Sequence, residues 1–475
     1  MSAPIFFLQS MDGMGMDGGM NMGRDLPLVA PEIAVLLTAV GALVFEMVRL
    51  PRVALPFTVV GLLVATSLTI PLVGTETTVF MDTFRVDALG VWAKLILLPA
   101  TALCAVLAYP EVKDTDREGT VYALFSFTAI GALALAGAGD VMFLVLGVLL
   151  SSLGSFALVA YPRDDRATEA AMKYLVFGSV TSAAMIFGLT FWFGASGSTL
   201  LSELGGVGEM PLAATAGLVA VLVGLGYKAS VAPFHFWAPD AYDGGPLAVA
   251  AFLSVVPKVG AILALAQVVR FLPESTGWPL AIAALAALSM TYGNFAALVQ
   301  ENVVRLLAYS SIAQSGYFLL GVAAFGGSEL AVSSLVVFAA AYAAMNIGAF
   351  TIVAVAGRDL RDFAGVGRSA PVLGAAMVVF LVSLVGIPPV AGFFGKFLLF
   401  GAAIEGGFVW LAVVAILNSV LSLGVYLRVI VPMYRATKPR ATPVSVPAIG
   451  AVWMIALFLT VAIGVAAQAL IGNIV

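Results

Sequence analysis

The chain has 475 residues, 62% of them hydrophobic and only 10% charged, with a formal net charge of −4. Soluble domains carry about a quarter of their residues as charges, so this composition excludes a soluble globular protein and indicates a polytopic membrane protein. No basic tract is present to attract nucleic acid, and the single cysteine, Cys104, excludes a disulfide framework or a cysteine-built metal or iron–sulfur site in the chain.

The first 25 residues are rich in Met, Gly and Asp and lack the basic start, apolar core and small-residue exit of a signal peptide. They read as a flexible tail ahead of one transmembrane domain, 26–475. Methionine sulfur is a soft donor of the kind that binds Cu(I), but no Cys or His stands beside these methionines.

Apolar runs of about 20 residues, the length that crosses a bilayer as a helix, recur fourteen times. Their predicted limits are 26–48, 53–73, 86–109, 119–138, 140–161, 168–194, 211–238, 246–271, 277–299, 303–325, 329–356, 370–404, 407–433 and 446–472. The fold class is therefore all-α. Cys104, in the third run, reads as a buried structural thiol.

Five lysines lie within or at the edges of spans: Lys94, Lys173, Lys228, Lys258 and Lys396. Of the other seventeen basic residues, about fourteen fall after odd-numbered spans, and Arg24, Arg85 and Arg270 fall on the other side. By the positive-inside rule the odd connections are cytoplasmic and both termini lie outside.

The seventh span contains Ala232-Pro233 and Ala238-Pro239, and the twelfth contains Gly386, Pro388 and Pro389. Proline removes a donor and clashes with the preceding turn, so both spans are predicted to break near mid-membrane. Each is the fourth of a five-span unit, 119–271 and 277–433. Five is odd, so the second unit is inverted relative to the first, an arrangement that places ion sites at the breaks.

Lys228 lies five residues before Pro233, Lys396 seven after Pro389, and Lys258 inside the eighth span. A charged side chain at the centre of a membrane helix costs about 2.5 to 3.5 kcal/mol, and a buried lysine exchanges its proton more readily than an exposed one. The three lysines are candidate proton-relay groups. The competing readings are snorkelling to the interface and ion pairs that hold helices together; about ten apolar residues on at least one side of each lysine argue against snorkelling.

His235, the only histidine, follows the first break and either extends the relay or caps freed carbonyls. Asp240 and Asp243, flanking Tyr242, read as helix-terminating groups. In the tenth span Tyr309, Ser310, Ser311, Gln314 and Tyr317 supply either a water chain or packing contacts. Glu46 and Lys94 are ambiguous by depth. No phosphate-binding loop, dinucleotide fingerprint or metal spacing occurs.

The segments VGLGYKASVAPFHFWAPDAYDGGPLAVAAFLSVVPKVGA, GNFAALVQENVVRLLAYSSIAQSGYFLLG and LVGIPPVAGFFGKFLLF resemble the antiporter-like membrane subunits of respiratory complex I and of multisubunit cation/proton antiporters. TEAAMKYLVFGSVTSAAMIFG, together with the length, is most similar to the N type of the bacterial NADH-quinone oxidoreductase subunits. The resemblance runs over nearly the whole chain. It implies fourteen helices in two inverted repeats, Lys228, Lys258 and Lys396 as proton-carrying residues, and a multi-pass subunit of the bacterial inner membrane. It also implies a subunit of a proton-translocating enzyme that has no redox site of its own: NADH, FMN, iron–sulfur clusters and quinone would belong to partner subunits. Its partners would be a neighbouring antiporter-like subunit, small membrane subunits and lipid. The alternatives are a subunit of a cation/proton antiporter or membrane-bound hydrogenase, and a scaffold whose lysines only bind neighbours.

One departure stands out. The family usually carries a glutamate on the fifth helix that pairs with the seventh-helix lysine, and the matching position here is Leu149. Asp140, nine residues earlier, lies about 13 Å away along a helix and cannot substitute. Three explanations stay open: an acid from another subunit, a rearranged coupling, or a divergent second copy with impaired pumping.

Overall fold

Helices dominate because the long apolar runs satisfy their backbone groups internally, as a lipid environment demands. The structure, a computed structural model, describes residues 22–113, 115–436 and 446–471. In chain order the helices are α1 (Met22–Leu28), α2 (Ala30–Met47), α3 (Pro51–Thr69), α4 (Ala88–Val112), α5 (Glu118–Ala136), α6 (Val141–Ala160), α7 (Asp165–Ser196), α8 (Pro211–Lys228), α9 (Trp237–Gly244), α10 (Leu247–Val269), α11 (Trp278–Leu298), α12 (Val303–Ala323), α13 (Leu330–Ala356), α14 (Val366–Ser369), α15 (Pro371–Val385), α16 (Ala391–Glu405), α17 (Val409–Arg435) and α18 (Pro447–Ile471). Between α3 and α4 a short hairpin pairs β1 (Thr77–Val79) with β2 (Phe84–Val86), antiparallel, Thr77 opposite Val86.

Among the described residues thirteen helices are long and apolar enough to cross a membrane. The twelfth predicted span is built from two shorter helices, α15 and α16. The methionine-rich stretch up to residue 21 lies outside the described residues, but the end of the predicted tail is helical: α1 starts at Met22, and Asp25 accepts a bond from Phe80 N at 3.2 Å.

Helices α10, α12 and α13 are buried along almost their whole length, while α2, α3 and α18 turn much of their surface outward. Small residues set the approach of α5 and α6: a Cβ on Gly154 would stand 2.2 Å from Thr128 Oγ1. Cys104 is buried in the core.

Both proline-rich spans are interrupted, and one of the two expected breaks in the first is not a break. Helix α8 ends at Lys228, the chain turns through a cis Ala232-Pro233 bond, and α9 begins at Trp237. Pro239 sits in the first turn of α9, where its missing N–H has no intrahelical partner to lose; Ala238-Pro239 therefore continues the restarted helix. In the second case α15 ends at Val385, a cis Pro388-Pro389 bond follows, and α16 begins at Ala391. Gly386 has φ +93°, and a Cβ there would meet Lys396 Cδ at 2.9 Å, so this turn requires glycine.

Candidate functional site: buried lysines at two helix breaks

A broken helix frees backbone carbonyls that need donors. Adjacent residues of α12 supply one to each break: Ser315 Oγ donates to Ala229 O at 2.6 Å, and Gln314 Nε2 donates to Leu384 O at 3.1 Å. At the second break Lys396 Nζ donates to Val385 O at 3.0 Å. Ser289 Oγ accepts from Ala232 N at 3.0 Å.

Lys228 is fully buried, and its Nζ reaches Ser152 Oγ at 3.1 Å, Ser155 Oγ at 3.2 Å and Tyr174 Oη at 3.3 Å. Tyr174 is fixed by stacking on Trp237, ring centroids 4.2 Å apart, and its Oη donates to Ser155 Oγ at 3.2 Å. The partners of this lysine are hydroxyls on α6 and α7.

Lys258 lies in the fully buried α10 and donates to Ser311 O at 2.9 Å and to Ser311 Oγ. Tyr342 Oη bonds the same Ser311 Oγ at 2.9 Å, and Asn346 Nδ2 reaches Tyr342 Oη at 3.3 Å and Ser254 Oγ at 2.5 Å. Pro257 precedes Lys258 without breaking α10.

Lys396, on α16, also bonds Ser419 Oγ at 3.3 Å, and its ammonium sits 3.8 Å from the centre of the Tyr317 ring, a favourable cation–π geometry. Ser419 Oγ donates to Tyr317 Oη at 3.0 Å. A cavity of about 320 Å³ opens beside this lysine, lined by Gly386, Phe393, Phe397, Ser419 and neighbouring apolar residues.

Of the five α12 residues singled out from sequence, four are buried and tied into these networks. Ser311 holds Lys258, Tyr317 covers Lys396, Ser310 bonds Tyr426 Oη at 2.6 Å, and Gln314 caps the second break. Tyr309 is only partly buried and faces the Tyr292 ring at 6.3 Å. His235 is buried between the rings of Phe236 and Tyr292, and its Nδ1 has no hydrogen-bond partner among the described residues, so it does not cap a freed carbonyl.

Asp240 and Asp243 do more than end a helix. Asp240 pairs with Arg305 at 2.8 Å and Lys173 at 3.1 Å; Asp243 pairs with Arg166 at 2.5 Å and accepts from Asn302 at 3.0 Å. Arg358 Nη1 donates to Asp243 O at 2.6 Å. This cluster borders a polar cleft of about 500 Å³ whose lining includes Glu111, Arg117, Tyr161, Asp164, Arg166 and Arg358. Burial holds the Arg358 guanidinium below its ordinary pKa, helped by Arg166 and opposed by Asp243, Glu111 and Asp164. Of the two residues ambiguous by depth, Lys94 is buried in an ion pair with Glu32 at 2.8 Å, and Glu46 accepts from Thr120 Oγ1 at 2.7 Å. Both tie helices of the N-terminal region together.

A family described as NADH:quinone oxidoreductase/Mrp antiporter, TM, matches residues 138–422, more than half of the chain. NADH-quinone oxidoreductase subunit N of Mycobacterium sp. (strain JLS) is 40% identical over 367 residues, 76% of this chain and 78% of the relative. The chain belongs to the NADH-quinone oxidoreductase subunit N family. A chain in respiratory complex I from Thermus thermophilus with bound aureothin superposes with TM-score 0.82 at 31% identity, covering 93% of this chain and 98% of that one. A chain of the Mrp complex from Dietzia sp. DQ12-45-1b has the same fold, TM-score 0.82 at 20% identity, covering 94% and 96%.

Leu149, where the resemblance led to the expectation of a glutamate opposite Lys228, lies on an outward face of α6, 41% exposed. Ser152 and Ser155, three and six residues on, occupy the side of α6 against Lys228. Asp140 caps the start of α6, accepting from Met142 N and Phe143 N. The serines were legible only as polar interruptions in LGVLLSSLGSFALVAY; nothing in the sequence joined them to a lysine more than 70 residues away.

Proposed function

We propose that this chain is a proton-translocating membrane subunit of a bacterial NADH:quinone oxidoreductase, in which Lys228, Lys258 and Lys396 take up and release protons in turn. NADH, FMN, iron–sulfur clusters and quinone are held by partner subunits, and their redox chemistry drives the cycle. The observation that carries this reading is that each of three buried lysine amines meets at least one hydroxyl, from α6 and α7 at Lys228, from α12 at Lys258 and from α17 at Lys396. Moving one charge across 100 mV costs about 2.3 kcal/mol, within reach of a pKa swing of about 2 units.

The five-helix units 119–271 and 277–433 act as inverted repeats in this reading, with both termini outside. Spans seven and twelve then run in opposite directions. A lysine before the first break and one after the second therefore lie on the same side of the two interruptions. The polar cleft beside α9 lies among odd connections and serves as the cytoplasmic mouth.

Lys228 is completely enclosed, so an acid from another subunit has no route to its amine without displacing this chain. The hydroxyl cluster of Ser152, Ser155 and Tyr174 takes the place of the missing carboxylate, which supports a rearranged coupling.

A second reading, a subunit of a cation/proton antiporter, is favoured by the shared fold with the Mrp chain. Purifying the chain with its partners and following NADH-driven proton uptake in proteoliposomes separates the two. Co-purification with flavin and iron–sulfur subunits and loss of pumping in Lys228→Ala and Lys396→Ala support the proposal; full pumping by both variants in assembled complex overturns it in favour of a scaffold.

A further inference from the structure

The hydroxyl groups around Lys228 and those around Lys258 do not join through any hydrogen bond between described residues. Two buried hydroxyls belong to neither network. Tyr242 on α9 is fully buried, its ring held between Trp237 and Phe350, each centroid 6.0 Å away. Trp237, against which it packs, also stacks on Tyr174, and the Tyr242 hydroxyl has no hydrogen-bond partner among the described residues. Ser230, in the turn after α8 with φ +57°, is also fully buried, and its Oγ too has no hydrogen-bond partner among the described residues.

Buried hydroxyls are nearly always bonded, and an unsatisfied one in a native core calls for an explanation such as a water or a functional role. Ser230 follows Lys228 by two residues, and Ser315 Oγ bonds both the Ala229 carbonyl beside it and Ser311 O, an acceptor of Lys258; Trp237 packs against both Tyr242 and Tyr174, a partner of Lys228. Phenylalanine would fill the Tyr242 ring site equally well, so packing does not account for the oxygen.

We infer that Tyr242, with Ser230 and intervening water, is the joint through which a proton passes between the Lys228 and Lys258 clusters. The inference rests on the proton-relay reading above. Each hydroxyl or water oxygen in the row accepts one proton on a lone pair and releases the proton it held. The Lys228 ammonium ends as an amine and the Lys258 amine ends as an ammonium, with every intermediate oxygen restored. Tyr242 is never ionised. Its position on α9, two residues before Gly244 in the wall of the polar cleft, ties this joint to any movement of the ion-paired end of that helix.

The test uses assembled complex in proteoliposomes, measuring protons moved per NADH oxidised, the rate, and the solvent deuterium effect on that rate. Tyr242→Phe keeps the ring and is expected to assemble, to lower the coupled rate or the proton ratio at least three-fold, and to enlarge the deuterium effect. Ser230→Ala is expected to produce a smaller change in the same direction, and carries the test alone if Tyr242→Phe yields too little complex. A purely packing role would lower yield without moving the ratio or the isotope effect. Wild-type ratio, rate and isotope effect in Tyr242→Phe, alongside a defective Lys228→Ala, overturn the inference and leave the relay reading standing. Normal pumping by Lys228→Ala overturns the relay reading itself.

Discussion

The two helix breaks solve the same problem with different chemistry. At the first, the lysine is the last residue of the helix before the interruption, and its amine meets three hydroxyls. At the second, the lysine follows the interruption and donates to a freed carbonyl, to one serine, and to the face of a tyrosine ring. A hydroxyl both donates and accepts, so the first shell serves an amine in either protonation state. A carbonyl only accepts, and a ring face attracts a cation more than a neutral amine, so the contacts around Lys396 suit an ammonium better than an amine. On the proposed relay, the first site is suited to exchanging a proton and the second to holding one.

The largest effects come from removing either lysine. Lys228→Ala and Lys396→Ala are each expected to abolish proton pumping through this chain while complex still assembles, measured as proton uptake on NADH oxidation. The comparison adds a second expectation. Lys396→Ala leaves Val385 O without its donor at the break, a buried loss of about 1 to 3 kcal/mol, whereas the hydroxyls around Lys228 can re-pair with one another. Lys396→Ala should therefore lower heat stability more than Lys228→Ala; the reverse order would break the contrast.

A carboxylate placed in the first site should make it resemble a conventional ion pair. Ser152→Asp puts an acid where a hydroxyl now stands 3.1 Å from the amine, and is expected to slow turnover about ten-fold by holding the proton on Lys228. Leu149→Glu puts the acid on an outward face, 41% exposed, and should change turnover less than two-fold. Equal effects from the two variants would mean that α6 rotates toward Lys228 in the working complex.

These distinctions mark what the sequence can and cannot convey. Apolar runs gave the crossings, prolines located the interruptions, and three lysines in apolar surroundings announced themselves by their cost. The hydroxyl partners did not: Ser152, Ser155 and Tyr174 are ordinary residues for membrane helices, and their meaning comes from α6, α7 and α8 packing together. Asp240 and Asp243 looked like turn residues because their partners, Arg166, Arg305 and Arg358, come from the first turns of α7 and α12 and the connection after α13, all distant in sequence. The second proline pair of the seventh span misled because a proline in a first turn is harmless while one in mid-helix is not, and only the position of the restart tells them apart.

Smaller effects probe the ring at the second site. Tyr317→Phe keeps the aromatic face over Lys396 but removes the bond to Ser419, and should reduce pumping about two- to three-fold. Tyr317→Leu removes both and should fall several-fold further. If Phe and Leu behave alike, the ring face plays no part in holding the cation, and the two sites differ less than their geometry implies.

The smallest effect on transport is expected at Asp87, a buried charge tied to the ends of α4 and α10. Asp87 caps α4 through Gly90 N at 2.9 Å, pairs with Arg270 at 2.7 Å, and accepts from Gln267. Burial pushes its carboxyl pKa up, but Arg270, the Gly90 N–H and Gln267 together outweigh burial and hold it below the ordinary carboxylate value. A depressed pKa stabilises the fold at all pH values above the unfolded one, about 3.9, and that stability is lost as pH falls through the folded value. Asp87→Asn should therefore cost about 2 kcal/mol at neutral pH, read as earlier loss of this chain from heated complex, with the gap to wild type closing only below about pH 4. Its proton ratio should equal wild type. A changed ratio would show that a charge cluster outside the lysine row takes part in transport, and the division between the two lysine sites and the rest of the molecule would have to be redrawn.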